Sequence, residues 1–320
     1  MIAVIGGAKA TVKIKQKAPA KGAESDRAES MAAGPAASEM AAGDSNGAGA
    51  VSGDDDIIVE NSGCGFNIAV HLARMGHRVS FLSVVGTDLM GTAIAEQLNA
   101  AGIDIRGLKR ISATTPIDVQ MFNILGDVEL SWSNDLMYAE ITPETVKEWT
   151  EILEEARFIV VDGSLPRRTL EYIAEIYGTR EGVRIFFDPA SRRGGEKAAG
   201  ILDKLYCVMP GRTEAEAMTG GTILSEDQLM AAGSCLHEKG VVRTIITMKG
   251  GGLYYKEGMV EGILRPERVL SFAGTSGAGD IVSAAVIAGT WEEKSMEETA
   301  RQAMEMAADF LSERKDERPI

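Results

Sequence analysis

Gly274-Thr275-Ser276-Gly277-Ala278-Gly279-Asp280, followed by the apolar run Ile281-Val282-Ser283-Ala284-Ala285-Val286-Ile287-Ala288, is the stretch on which the reading of this chain turns. Small residues end at one carboxylate, just where the apolar run predicts a helix to begin. Gly277 and Gly279 let backbone approach a ligand closely, and the free N–H groups of a helix start attract negative charge. Asp280 then falls in the first turn, beside any anion held there. Two negative groups at one helix end have little structural use unless the carboxylate has a chemical task. Accepting a proton next to a phosphate is such a task. A glycine-rich turn with Asp280 as a favourable first-turn acid accounts for the same residues. Taken alone, the stretch does not choose between the two.

With 320 residues the chain has room for one large α/β domain or two small ones. A formal net charge of -14 argues against a nucleic-acid or anionic-membrane partner. No transmembrane span is legible, and Met1-Ile2-Ala3-Val4-Ile5 is too short for a secretory leader. Cys64, Cys207 and Cys235 form no CxxC pair and read as reduced thiols, so a cytoplasmic location is expected. His71, His77 and His237 lack zinc spacing, and the first two read as helix-surface residues.

Outward from the opening stretch, strands and helices alternate. Met1–Ile5 predicts a buried strand, and Thr11–Lys17, with Val12 and Ile14 between lysines, predicts a strand with one wet face. Residues 18–55 are almost wholly Ala, Gly, Ser, Glu, Asp and Met, too poor in apolar surface to offset ordering entropy, and predict a disordered insertion. Order resumes at Ile57-Ile58-Val59. A helix over 68–75 stops at Gly76, and a second runs over 89–100 with Leu89, Ile94 and Leu98 on one side. Residues 117–121 and 128–132 alternate about Gly126-Asp127 and predict a hairpin.

From there the continuous apolar strands 158–162, 183–188, 205–209 and 241–248 are separated by helices at 143 onward, after Pro166, near 196–203, at 212–218 and from Ser225 to Lys239. Short strands at 253–256 and 269–272 precede helices from Ala278 and about Glu297. Such alternation implies a mostly parallel sheet covered on both faces. The amphipathic strands at about 9–17, 56–61 and 115–133 do not fit that sheet and suggest a small half-exposed lid.

Four weaker signals lie at predicted strand or helix ends. Ser62–Ala69 places small residues before a helix, as an N-cap also would. Thr247-Met248-Lys249-Gly250-Gly251-Gly252 follows an apolar strand, where open α/β sheets bind nucleotides, although a flexible turn reads the same way. Glu214 and Glu216 follow Pro210-Gly211, where first-turn acids suit the helix dipole. Asn134-Asp135 lies just past the hairpin, where turn residues are common.

In this order the motifs resemble the ribokinase-like (PfkB) family of sugar and nucleoside kinases. Gly65-Phe66-Asn67-Ile68-Ala69 is similar to that family's GxNxA motif, and Thr275–Asp280 to its (D/T)TxGAGD motif. The resemblance covers nearly everything outside 18–55. Within the family, the sequence resembles the pseudouridine kinases. The cues are Val4-Ile5-Gly6-Gly7-Ala8, Asn67-Ile68-Ala69 ahead of Leu72-Ala73-Arg74-Met75-Gly76, and Asn134-Asp135-Leu136. Asp188-Pro189 and Pro210–Glu216 resemble that subgroup's VDP and PNxxEAE segments.

The resemblance implies an α/β, ribokinase-like fold: a central, mostly parallel sheet flanked by helices, with a small β lid. It implies ATP and Mg²⁺, with a monovalent cation as a further expectation, and a nucleoside 5′-hydroxyl as acceptor. Asp280 would be the base, and Gly277, Ala278 and Gly279 the anion hole for the γ-phosphoryl group. Glu214 would hold Mg²⁺ through water. Thr247, Gly250, Gly252 and Thr275 would border ATP. Gly63, Gly65, Asn67, Asn134 and Asp135 would face ribose and base. The lid would exclude water and could carry a homodimer contact.

The departures fall at the sugar end. The family usually carries an Asp shortly after the first Gly-Gly, binding sugar hydroxyls, but Ala8-Lys9-Ala10-Thr11-Val12-Lys13 has no acid. Loss of a charge-assisted hydrogen bond of that kind costs about 1.5–3 kcal/mol. Gly211 stands in place of the Asn of PNxxE, and Lys249 in place of the first glycine of TxGxxG. Another acceptor such as ribose or fructose, or a non-catalytic nucleoside or sugar sensor, are the alternatives. The intact Gly277–Asp280 favours the kinase.

Overall fold

Strand β1 (Ile2–Ile5) is apolar and buried at all four positions, which requires cover on both faces. Ile2 and Val4 enter one core, Ala3 and Ile5 the other. Fully burying an Ile or Val side chain stabilises the fold by about 1.5–3 kcal/mol. The computed structural model describes residues 1–16, 56–124, 128–248, 252–266 and 277–313. The expected insertion at 18–55, the hairpin turn at 126–127 and the strand at 269–272 lie outside the described residues.

β1 pairs in parallel with β4 (Val79–Gly86) and β8 (Phe158–Asp162). The nine-stranded sheet continues through β5 (Leu108–Ile111) beyond β4. On the other side it continues through β9 (Arg184–Asp188), β10 (Cys207–Val208), β11 (Arg243–Met248), β12 (Gly252–Glu257) and β13 (Val260–Leu264). Only the β11–β12 and β12–β13 pairs are antiparallel. The main sheet is thus mostly parallel, as the apolar runs imply. β13 was not among the expected strands; it pairs antiparallel with β12.

On one face of this sheet lie α1 (Cys64–Arg74), α9 (Ala278–Trp291) and α10 (Met296–Glu313); Val286 and Ala303 share a core with Phe66 and Phe81. The other face carries α3 (Pro143–Glu148), α4 (Thr150–Glu154) and α5 (Arg167–Tyr177). α3 has the expected cap, with Thr142 accepting from the Thr145 N–H and Pro143 at its start. α7 (Arg212–Thr219) and α8 (Glu226–Glu238) contribute to a smaller core on β11 and β12, and Ser225 and Gln228 close a capping box on α8. Among the described residues, no helix is long and apolar enough to cross a membrane.

A second, four-stranded sheet runs β3 (Asp56–Ser62), β2 (Lys9–Lys15), β6 (Ile117–Phe122), β7 (Val128–Ser133). Its register divides it into two chemically distinct faces. Ile57, Ile14, Met121 and Leu130 form one apolar row, and Val59, Val12, Val119 and Trp132 the next. On the opposite face Glu60, Thr11, Asp118 and Ser133 form a polar row.

Which face is wet differs from expectation. Thr11 and Lys13 are buried, Lys13 against Glu60, whereas Ile57 and Val59 are exposed. The polar face is turned toward a cavity in the protein body, so alternation alone could not orient this sheet.

Two helices also differ from expectation. Leu89 is exposed while Ile94 and Leu98 of α2 (Leu89–Ala100) are buried, because five residues do not return to one helix face. The helix expected near 196–203 is α6 (Arg192–Lys197), capped by Ser191, with short 3₁₀ turns after it. His71 lies on α1, but His77 follows its end, against the Trp291 ring.

Candidate active site

Three strand ends meet where the site forms. β8 ends in Asp162 and β9 in Asp188, and the two are register partners. β1 ends beside them at Gly6-Gly7. Asp162 Oδ2 accepts from the Gly7 and Gly65 N–H groups, both at 2.8 Å, and Oδ1 accepts from the Ser164 N–H at 2.9 Å and from the Ser164 hydroxyl. Asp162 therefore ties β1, α1 and β8 together. Its pKa is raised by burial, with these hydrogen bonds opposing the shift.

α1 begins inside the glycine motif rather than after it. Its N-cap, Gly63, has φ 118°, and a Cβ there would collide with the Gly7 carbonyl oxygen. This sharp entry lets α1 start at Cys64 and places Asn67 in its first turns. α9 begins in a related way, with Gly277 at φ 96° and Asp280 in the first turn.

The two helix starts face each other. Asn67 Nδ2 donates to Asp280 Oδ2 at 2.7 Å. The Cys64 thiol and one carboxylate oxygen each from Asp188 and Asp280 lie within 4.8 Å of one another. Asp188 is buried and accepts from Ser283 Oγ at 2.6 Å and the Ala190 N–H at 2.9 Å.

Burial of the Asp280 carboxyl, with the Asp188 charge next in importance, pushes its pKa up to about 7; the Asn67 and Cys64 hydrogen bonds act the other way. Burial likewise pushes Asp188 up to about 6 and the Cys64 thiol well above its ordinary range. A carboxyl tuned to near neutrality can take a proton from a hydroxyl and later release it.

Two cavities adjoin this group. A larger one, about 1050 Å³, runs from Gly63, Cys64 and Asp162 to Lys9, Asp118 and Asp135 beneath the second sheet. A smaller one, about 330 Å³, is bordered by Glu214, Thr247, Gly252, Ala278 and Gly279, with Val282, Met304 and Leu311 among its apolar walls. Asp280 lines neither cavity itself, but its carboxylate is within 4.8 Å of the thiol of Cys64, which lines the first, and it follows Gly279, which lines the second.

Gly63, Asn134 and Asp135 line the first cavity, and Glu214, Thr247, Gly252, Ala278 and Gly279 the second. Gly65 and Asn67 bind carboxylates instead, Gly65 through its N–H to Asp162 and Asn67 through its amide to Asp280. Glu216 accepts from the Ile223 N–H at 2.9 Å and fixes a loop. Gly250 and Thr275 lie outside the described residues. The site roles of Cys64, Asp162, Asp188, Lys9 and Asp118 were not read from sequence. The available signal was an Asp closing each of two apolar strands, FIVVD and RIFFD, at the carboxyl edge where open α/β sheets bind ligands.

The pfkB carbohydrate kinase family model matches residues 40–317. The chain belongs to the PfkB family of carbohydrate kinases. Membership makes it a phosphotransferase acting on a sugar or nucleoside hydroxyl. The PfkB chain is similar to pseudouridine kinase of Escherichia coli K12, 26% identical over 230 residues that make up 72% of each protein. It is similar to ribokinase of Haemophilus influenzae, 27% identical over 77% of this chain and 79% of that one. An E. coli protein assigned as a ribokinase II, solved with ATP and Mg²⁺, shares the fold: TM-score 0.71 at 19% identity, over 96% of this chain and 91% of that one.

Proposed function

We propose that this PfkB protein transfers the γ-phosphoryl group of ATP to the 5′-hydroxyl of a nucleoside, with pseudouridine the first substrate to test. The observation that carries the reading is Asp280, held by Asn67 between the two cavities at the start of α9. Asp280 takes the hydroxyl proton as the substrate oxygen bonds to phosphorus. The bond from phosphorus to the bridging oxygen breaks, and ADP leaves. N–H groups of Gly277, Ala278 and Gly279 orient the transferring oxygens.

The second cavity fits a nucleotide. Gly279 has open space where a Cβ would stand, while Thr247 and Gly252 present backbone and small groups at its rim. Thr275 and Gly250, outside the described residues, are assigned to ATP by the motif resemblance alone. Glu214 is an oxygen donor of the kind Mg²⁺ prefers, and the ion, when bound there, would neutralise phosphate charge. The first cavity takes the nucleoside between Gly63, Asn134 and Asp135, under the second sheet acting as a lid. Asn67 and Gly65 support it from below through the carboxylates they hold.

A panel of nucleosides and sugars, including pseudouridine, uridine, inosine, ribose and fructose, tests this by ADP release. Pseudouridine is expected to exceed the rest. Ribose leading would move the assignment to a sugar kinase, a reading the ribokinase similarity supports. No release with any member would favour a sensor.

The outward apolar rows of the second sheet, with Ile57 61%, Val59 55%, Leu130 51% and Trp132 56% exposed, fit a second copy of the chain. Sedimentation equilibrium is expected to give a dimer, and a monomer at tens of micromolar would overturn it.

A further inference from the structure

The first cavity ends in a group of charges whose chemistry the phosphoryl transfer does not use. Asp118 on β6 is 7% exposed and lines the cavity with Lys9. Its Oδ2 accepts from Gln120 Nε2 at 2.9 Å, while Oδ1 has no hydrogen-bond partner among the described residues. Lys9 Nζ stands 3.7 Å from Asp118 and 4.0 Å from Asp135, in ion-pair range but too far for hydrogen bonds. A buried carboxylate and a half-buried ammonium that nearly meet but do not bond leave an acceptor and donors unspent at a cavity wall.

The neighbouring strand cannot supply that acceptor. Ala8 to Lys13 contains no acid, and the buried Thr11 hydroxyl is already bonded to Ser62. Asp118 is the register partner of Thr11, on the same polar face, one strand across.

We propose that Asp118 and Lys9 form the subsite that grips the secondary hydroxyls of the substrate's sugar ring and select for a vicinal diol. One hydroxyl donates to Asp118 Oδ1 and its neighbour accepts from Lys9 Nζ, filling both unspent positions. The cavity then spans from this diol grip to Cys64, beside Asp280, where the primary hydroxyl reacts. This deepens the kinase reading and rests on it.

The test separates the two. Calorimetric binding of the preferred panel substrate to the full-length wild-type protein without ATP is compared with Asp118→Asn and Lys9→Met, and each is then assayed for turnover. Each variant is expected to weaken binding and raise KM about ten- to a hundredfold, with kcat changing much less. The 2′-deoxy and 3′-deoxy analogues are expected to bind wild type correspondingly weakly, a penalty that shrinks in Asp118→Asn. Undiminished binding by both variants, or equal binding of deoxy and ribo forms by wild type, overturns the subsite and leaves the kinase standing. Wild type that binds the panel without turnover overturns the kinase reading while the same calorimetry still decides the subsite. Wild type that neither binds nor turns over any panel member overturns both. Lys9→Met keeps the test decisive if Asp118→Asn does not fold.

Discussion

Asn67 donates its side-chain amide to Asp280 Oδ2 at 2.7 Å, joining the first turns of two helices whose residues lie 213 positions apart. The bond favours the charged carboxylate and fixes its direction. Asn67→Ala is expected to lower kcat about ten- to a hundredfold, the worth of one charge-assisted hydrogen bond. Steady-state kinetics read this, and wild-type turnover would remove Asn67 as a positioning residue.

Asp280→Asn keeps the shape and the partner of the side chain but cannot take a proton. Turnover is expected to fall by about 10²–10⁴ while ATP binding is retained. Nucleotide titration beside the rate assay separates the two effects; near-normal activity would eliminate Asp280 as the base.

The pH dependence follows from the raised carboxyls. Asp280, pushed up to about 7, must be charged to act, so kcat/KM is expected to rise with pH through about 7. Asp188→Asn removes the neighbouring negative charge and is expected to move that limb to lower pH, though burial keeps it above the ordinary Asp value. Stability changes in the opposite sense. With Asp280 near 7 and Asp188 near 6, the folded state holds more protons than the unfolded chain between about 4 and 7. Stability from this pair is therefore lost as pH rises through that window. A rate limb left in place by Asp188→Asn would refute the coupling.

Gly6→Ala should destabilise the fold, because a Cβ at Gly6 collides with Asp162 Oδ2 in the closely packed junction of β1, α1 and β8. Overpacking of this kind costs about 1–3 kcal/mol. Urea unfolding measures it, and an unchanged midpoint would mean that Asp162 is less tightly held than its four hydrogen bonds imply.

Much of this was legible in one dimension. The runs 158–162 and 183–188 read as strands covered on both faces because they are nearly continuous in apolar residues. Ser225, and Thr142 with Pro143, marked helix starts through local chemistry that needs no tertiary partner. Gly277–Asp280 marked a candidate anion site for the same reason, and the resemblance of its motif supplied the phosphoryl-transfer reading.

What sequence could not supply was which distant groups meet. Asp162, Asp188 and Asp280 read as a strand end, another strand end and a helix start; parallel pairing of β8 with β9, and the packing of α9, bring them to one place, where shared burial moves their pKa values. The orientation of the second sheet was equally hidden. Alternation at Val12, Lys13 and Ile14 separates two faces but is symmetric between them. By itself, then, the sequence determined most of the strand–helix order, the family resemblance and the helix start proposed to carry the base, because local chemistry, periodicity and short motifs specify these. Only the tertiary structure decided that Lys13 and Asp118 face inward and Ile57 outward, because the cavity under that sheet exists only once the chain has closed around it.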